Sequence, residues 1–92
     1  MSTESTRELL PMHPAVERAL GLKKSAIHMR IAAGLCVTGV SVGTRSVRYP
    51  SDEVRAVADA YVAGFDDGAI RALVVKLHAA RTQRVNAVTA SV

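Results

Sequence analysis

Apolar residues recur along this chain with two different periods. Between residues 14 and 33 they fall three and four apart: Val16, Ala19 and Leu20, then Ile27 and Ile31. That spacing predicts two short helices, over residues 14–20 and 24–33. Pro14 suits the first helical position, where its missing N–H costs nothing. Gly21 and Gly34 suit the two stops, and Leu22 drops back toward the core. From residue 40 the period shortens to two. Val40 and Val42 flank Ser41, and Val47 and Tyr49 flank Arg48, which predicts a β-hairpin with Gly43 in its turn. Its apolar face is expected to carry Val40, Val42, Val47 and Tyr49. Its tip and outer face carry Thr44, Arg45, Ser46 and Arg48. Gly39 and Gly43 are assigned to turns alone.

The helical period then returns. Val54, Val57, Ala58 and Tyr61 give a third helix over residues 52–63, with Ser51 as N-cap and Asp52 and Glu53 in the first turn. Gly64 closes it and Phe65 anchors the corner. A fourth helix, residues 68–85 or slightly more, is capped by Asp66 or Asp67. Its stripe is Ile70, Leu73, Val74 and Leu77, with Val85 further on, and Arg71, Lys76, Arg81 and Arg84 lie on its other side. This helix is long for the size of the chain. It either packs across the third helix or pairs with its equal in a second subunit through Ile70, Leu73, Val74 and Leu77. The fold class is thus mainly α with a small β-hairpin wing. Residues 1–13 form a flexible segment from which Leu9, Leu10 and Met12 can dock. Residues 14–63 form the domain, 64–86 a packing or dimerisation helix, and 87–92 a flexible tail.

Charge adds a direction to this picture. The net charge is +4 over 92 residues, and it is unevenly placed. Residues 14–50 hold Arg18, Lys23, Lys24, Arg30, Arg45 and Arg48 against Glu17, while residues 51–92 are balanced. An excess on one module is the electrostatic footprint expected of a nucleic-acid face. Two short helices at a glycine-containing turn match a helix-turn-helix, whose second helix enters the major groove. The start of that helix lacks a side-chain cap: Lys23 or Lys24 stands where Ser, Thr, Asp or Asn is favoured. Either Ser25 caps it one turn late, or a phosphate does so in a complex.

No constellation for catalysis stands out. His13, His28 and His78 lack metal-ligand spacing, and Cys36 is the single cysteine, which excludes an intrachain disulfide and suits a reducing, cytoplasmic setting. Asp66-Asp67 reads as a helix cap and not as a hydrolytic carboxylate pair. There is no phosphate loop and no dinucleotide fingerprint. Neither an enzyme, a metal nor a cofactor is expected. No apolar run is long enough for a membrane span, and the first ten residues lack the basic start and apolar core of a signal peptide.

Taken together, the residues resemble a known family. Leu20-Gly21-Leu22, then Ser25, Ile27, Ile31 and Gly34, then Gly43, Arg45, Val47, Arg48 and Tyr49 with an acidic helix start behind them, are similar to the AlpA-like prophage regulators and small phage excisionases. The resemblance covers about residues 10–63. It implies a MerR-like winged helix-turn-helix that binds double-stranded DNA. Lys24, Ser25, His28, Met29 and Arg30 would face the major groove or its rim. Lys23, Thr44, Arg45, Ser46 and Arg48 would meet the backbone or minor groove. Such proteins regulate a promoter or bend DNA at a recombination site, where an integrase or another phage or plasmid recombination protein is the partner. The alternative is a non-catalytic dimeric adaptor built on the two C-terminal helices.

Overall fold

The computed structural model describes residues 8–90, with side chains to residue 83. Residues 1–7 and 91–92, both within segments expected to be flexible, lie outside the described residues, as do the side chains of Arg84 and Val85. The chain forms a mainly helical domain with a small antiparallel sheet. In order come β1 (Leu9–Leu10), a wide turn (Met12–Val16) leading into α1 (Glu17–Leu20), α2 (Lys24–Ala32), β2 (Val40–Ser41), β3 (Val47–Pro50), α3 (Ser51–Val62) and α4 (Asp67–Ala90).

His13 is extended, so helical backbone begins at Pro14 as the proline rule predicts. Gly21 closes α1 in the left-handed conformation, with φ at 68°. An L side chain would be strained there. The Asp66 carboxylate accepts the Ala69 N–H at 2.8 Å and caps α4. That helix runs to Ala90, so residues expected in the flexible tail continue it.

The sheet departs from the expected two-stranded hairpin in two ways. First, Leu9 and Leu10 do not fray. They pair antiparallel with Pro50 and Tyr49, which puts β3 in the centre of a three-stranded sheet. Ser51 is drawn into this edge: its Oγ accepts the Glu8 N–H at 2.8 Å and its N–H donates to the Glu8 carbonyl at 2.7 Å. It ties down β1 and makes no cap bond to α3. Second, the hairpin register differs by one residue. Val40 faces Arg48 and Ser41 faces Val47. The Val42 N–H donates to the Ser46 carbonyl, leaving a connection of residues 43–45. Side chains directly opposite share a face, so the four expected apolar residues are split between two faces. Tyr49 and Val47 lie on the side of Gly39 and Ser41. Val40 and Val42 lie on the side of Arg48.

That register explains Gly39, which serves packing and not a turn. A Cβ there would overlap Val47 Cγ1 and lie 3.0 Å from Tyr49 Cζ. Tyr49 fills this space and is buried, while Val47 stays half exposed.

The core is built from Val16 and Ile27 of the helical corner, Cys36 and Val37 of the following loop, Tyr49, Val54, Val57 and Ala60 of α3, and Ile70 and Val74 of α4. The α3 stripe therefore includes Ala60, with Ala58 and Tyr61 only half buried. Phe65, expected to anchor the corner, is 47% exposed; its N–H closes the helix on the Ala60 carbonyl instead. The four residues offered for dimer pairing are used inside the chain. Ile70 and Val74 are buried, and Leu73 and Leu77 pack beside them against the same core.

One polar knot holds α4 down. Glu53, expected to serve only the helix dipole, is 1% exposed. Arg81, expected on the outer side of α4, donates to both of its carboxylate oxygens at 2.6–3.1 Å. The same guanidinium donates to the Thr38 carbonyl at 2.7 Å and to Thr38 Oγ1 at 3.2 Å. Thr38 in turn donates its N–H to His78 Nε2 at 3.1 Å. The knot joins α3, α4 and the root of the hairpin.

That bond requires His78 Nε2 to be unprotonated. Burial lowers the His78 pKa below its ordinary 6.5, Arg81 adds to the effect and Glu53 opposes it. The unfolded chain therefore takes up this proton at a higher pH than the native one. The contribution of His78 is fully present above pH 6.5 and is lost as pH falls through the native value. Urea midpoints are expected to hold steady above neutrality and to fall as the pH drops below 6.5 toward the lowered native value. In His78→Gln, whose amide oxygen also accepts the Thr38 N–H, that part of the slope should vanish. An unchanged slope would remove His78 as its source.

Candidate nucleic-acid interface

The candidate interface starts at the corner between α1 and α2. A helix start exposes N–H groups that need acceptors. Ser25 does not supply one here. Glu17 reaches back from α1, and its Oε2 accepts the Lys24 N–H at 3.0 Å. Its other oxygen pairs with His13 Nδ1. The hydrogen bond from His13 lowers the Glu17 pKa; desolvation opposes it, but the His13 charge and the Lys24 N–H and charge add to the lowering, which favours the carboxylate form of the cap. A signal for this existed in sequence. Glu17 was the one acid in a basic stretch, seven residues before the uncapped helix start.

The side chains of α2 then sort by angle. Ile27 is buried and Ile31 half buried, so they face inward. Lys24, Ser25, His28 and Met29 are exposed, with Met29 at 73%. Four of the five residues assigned to the major groove thus share the outward side of one helix. Arg30 does not. It turns to α3, lies with its guanidinium carbon 5.1 Å from the Tyr61 ring centroid, and donates to the Tyr61 hydroxyl at 3.0 Å. That hydroxyl donates onward to the Leu35 carbonyl at 2.9 Å. The reason is geometric: residue 30 follows Ile27 by three and precedes Ile31 by one, so it sits at the edge of the buried stripe.

Of the hairpin residues, Thr44 and Arg45 are exposed at the tip, and Ser46 and Arg48 are half buried. Arg48 bends back and donates to its neighbour's carbonyl, on Val47, at 3.1 Å. Among the described residues no carboxylate forms an ion pair with Lys23, Lys24, Arg45 or Arg48; the pairs present are His13–Glu17 and Arg81–Glu53. Arg45 and Arg48 thus carry their charge on the hairpin without a carboxylate partner among the described residues, while Lys23 and Lys24 stand beside the outward face of α2 in the same groove as the Glu17 carboxylate. His13, Glu17, Lys23, Lys24, Ser25 and His28 line an open groove at the start of α2.

Cys36 is buried, and desolvation raises its pKa, which keeps the thiol protonated and unreactive. Among the described residues no group of three His, Cys, Asp or Glu side chains is placed to hold a metal ion. Among the described residues no helix is long and apolar enough to cross a membrane. Comparison with protein-family models, with curated proteins and with solved structures finds no match for this chain.

Proposed function

We propose that this chain is a non-catalytic cytoplasmic protein that binds double-stranded DNA as a winged helix-turn-helix. The α1–α2 corner is the helix-turn-helix and the β2–β3 hairpin is the wing. Lys24, Ser25, His28 and Met29 meet the major groove or its rim. Lys23, Arg45 and Arg48 meet phosphates, and Thr44 and Ser46 lie beside them. Arg30 has no part in base contact. Its role is to hold α2 against α3.

One observation carries this reading. A short helix that presents Lys24, Ser25 and His28 outward is followed directly by a hairpin with arginines, and none of these cations forms an ion pair with a carboxylate among the described residues. Such cations gain when they release counterions from a duplex. The biological role is control of a promoter, or bending of an attachment site as an excisionase-like factor beside an integrase. Mapping the bound site to an operator or to an attachment arm separates these two.

The test is a shift assay on neighbouring genomic duplexes across a range of salt. Replacing Arg45 and Arg48 together by alanine is expected to weaken binding by roughly 10- to 100-fold at low salt and to reduce the salt slope by about 2. A double variant with the parent's affinity and slope would remove the hairpin from the interface. A parent protein that shifts no duplex at low salt would end the reading.

A further inference from the structure

We infer a second binding site, for a small organic acid with a compact apolar body, in the cleft between α1, α2 and α3. The cleft has a volume of about 210 Å³. Its apolar walls are Ala19, Leu20, Leu22, Ala58 and Val62, and its polar lining is Arg30 and Tyr61. Val62 is 88% exposed, so an apolar side chain stands in water beside the opening.

The ligand class follows from Arg30. A guanidinium carries five N–H donors. Arg30 spends one on the Tyr61 hydroxyl. That hydroxyl has its own proton committed to Leu35, so it offers an incoming group no donor. Among the described residues no carboxylate pairs with Arg30. Arg30 is half buried, and among the described residues its guanidinium meets a ring face and one neutral oxygen. A partly desolvated cation with free donors is best satisfied by a carboxylate, which forms short charge-assisted bonds with it.

The walls decide what the carboxylate is attached to. A phosphodiester backbone or a free phosphate would leave Leu20, Leu22, Ala58 and Val62 unserved. An apolar body removes them from water together. The volume falls below the roughly 300–1,000 Å³ of drug-sized pockets, so a single ring or a short branched chain is the right scale. The site uses the inward edge of α2, away from Ser25, His28 and Met29, and does not depend on the duplex reading.

The probe is sodium benzoate, titrated into the full chain and followed by heteronuclear NMR. Benzyl alcohol supplies the ring without the charge, and inorganic phosphate the charge without the ring. Benzoate is expected to shift the Arg30 side-chain N–H and the amides of Leu20, Leu22 and Tyr61 saturably, with neither control reproducing the pattern. Arg30→Gln should weaken binding by about tenfold or more. Ala58→Leu, which fills the cleft and leaves Arg30 in place, should abolish it. The proposal fails if benzoate moves no resonance of the cleft up to its solubility. It fails equally if phosphate produces the same shifts, or if Ala58→Leu binds benzoate like the parent.

Discussion

Replacing Arg81 by alanine is expected to lower the unfolding free energy by roughly 3–5 kcal/mol, as for other broken buried ion pairs. The substitution would strip a 1% exposed Glu53 of a guanidinium that now serves both of its oxygens. It would also remove two hydrogen bonds from Thr38. Domains of this kind hold only about 5–15 kcal/mol in all, so the variant should stand near the edge of folding at room temperature. Urea denaturation followed by far-ultraviolet circular dichroism measures the loss. Arg81→Lys should recover little, because an ammonium cannot reproduce the planar fork. Replacing Glu53 and Arg81 together by leucine should recover much of it, since an apolar pair leaves no buried charge. A loss below about 1 kcal/mol for the alanine variant would mean that the pair behaves like a solvated one.

The second large effect is expected at Gly39. An alanine there must push aside Val47 Cγ1 and approach the Tyr49 ring at 3.0 Å. Val47 is half exposed and has room to rotate, but Tyr49 is buried. The cost should be roughly 1–3 kcal/mol, the usual range for overfilling a packed site. Gly43→Ala is the matched control. Its nearest neighbour would be Ser46 at 3.8 Å, and its backbone does not need a positive φ. That variant should stay within about 0.5 kcal/mol of the parent. Equal losses at the two positions would mean that the hairpin, and not the contact with Tyr49, carries the sensitivity.

The elements themselves were legible because they rest on local rules. The 3.6-residue stripes of α3 and α4, the glycine stops and the Asp66 cap each depend on neighbours a few residues away, and each stands close to where periodicity puts it, the α3 stripe being turned so that Ala60 is buried more deeply than Ala58 and Tyr61. What escaped depends on distance. Alternation located both strands of the hairpin, but it cannot count the residues in the connection. Four would pair Val42 with Val47 and keep one apolar face; three pair Val42 with Ser46 and divide it. Nothing near Leu9 announces that it will pair with Pro50. The partner of Glu53 lies 28 residues away, so a first-turn acid looked like a dipole complement and an α4 arginine like surface. For the candidate interface, the outward positions of α2 were readable except Arg30, one step from the boundary of the buried stripe. The pairing of Arg30 with Tyr61 needed the fold.

The Glu17 cap has a consequence for how the corner meets a polyanion. Because a carboxylate from α1 already occupies the first backbone donor of α2, the two helices would enter the proposed encounter already joined at that end. Little ordering entropy remains to be lost there on association. A phosphate arriving at that end must evict Glu17 or settle for the lysine side chains. In the proposed complex the freezing cost would fall instead on the hairpin tip, where Thr44 and Arg45 are exposed and make no side-chain hydrogen bond or ion pair among the described residues.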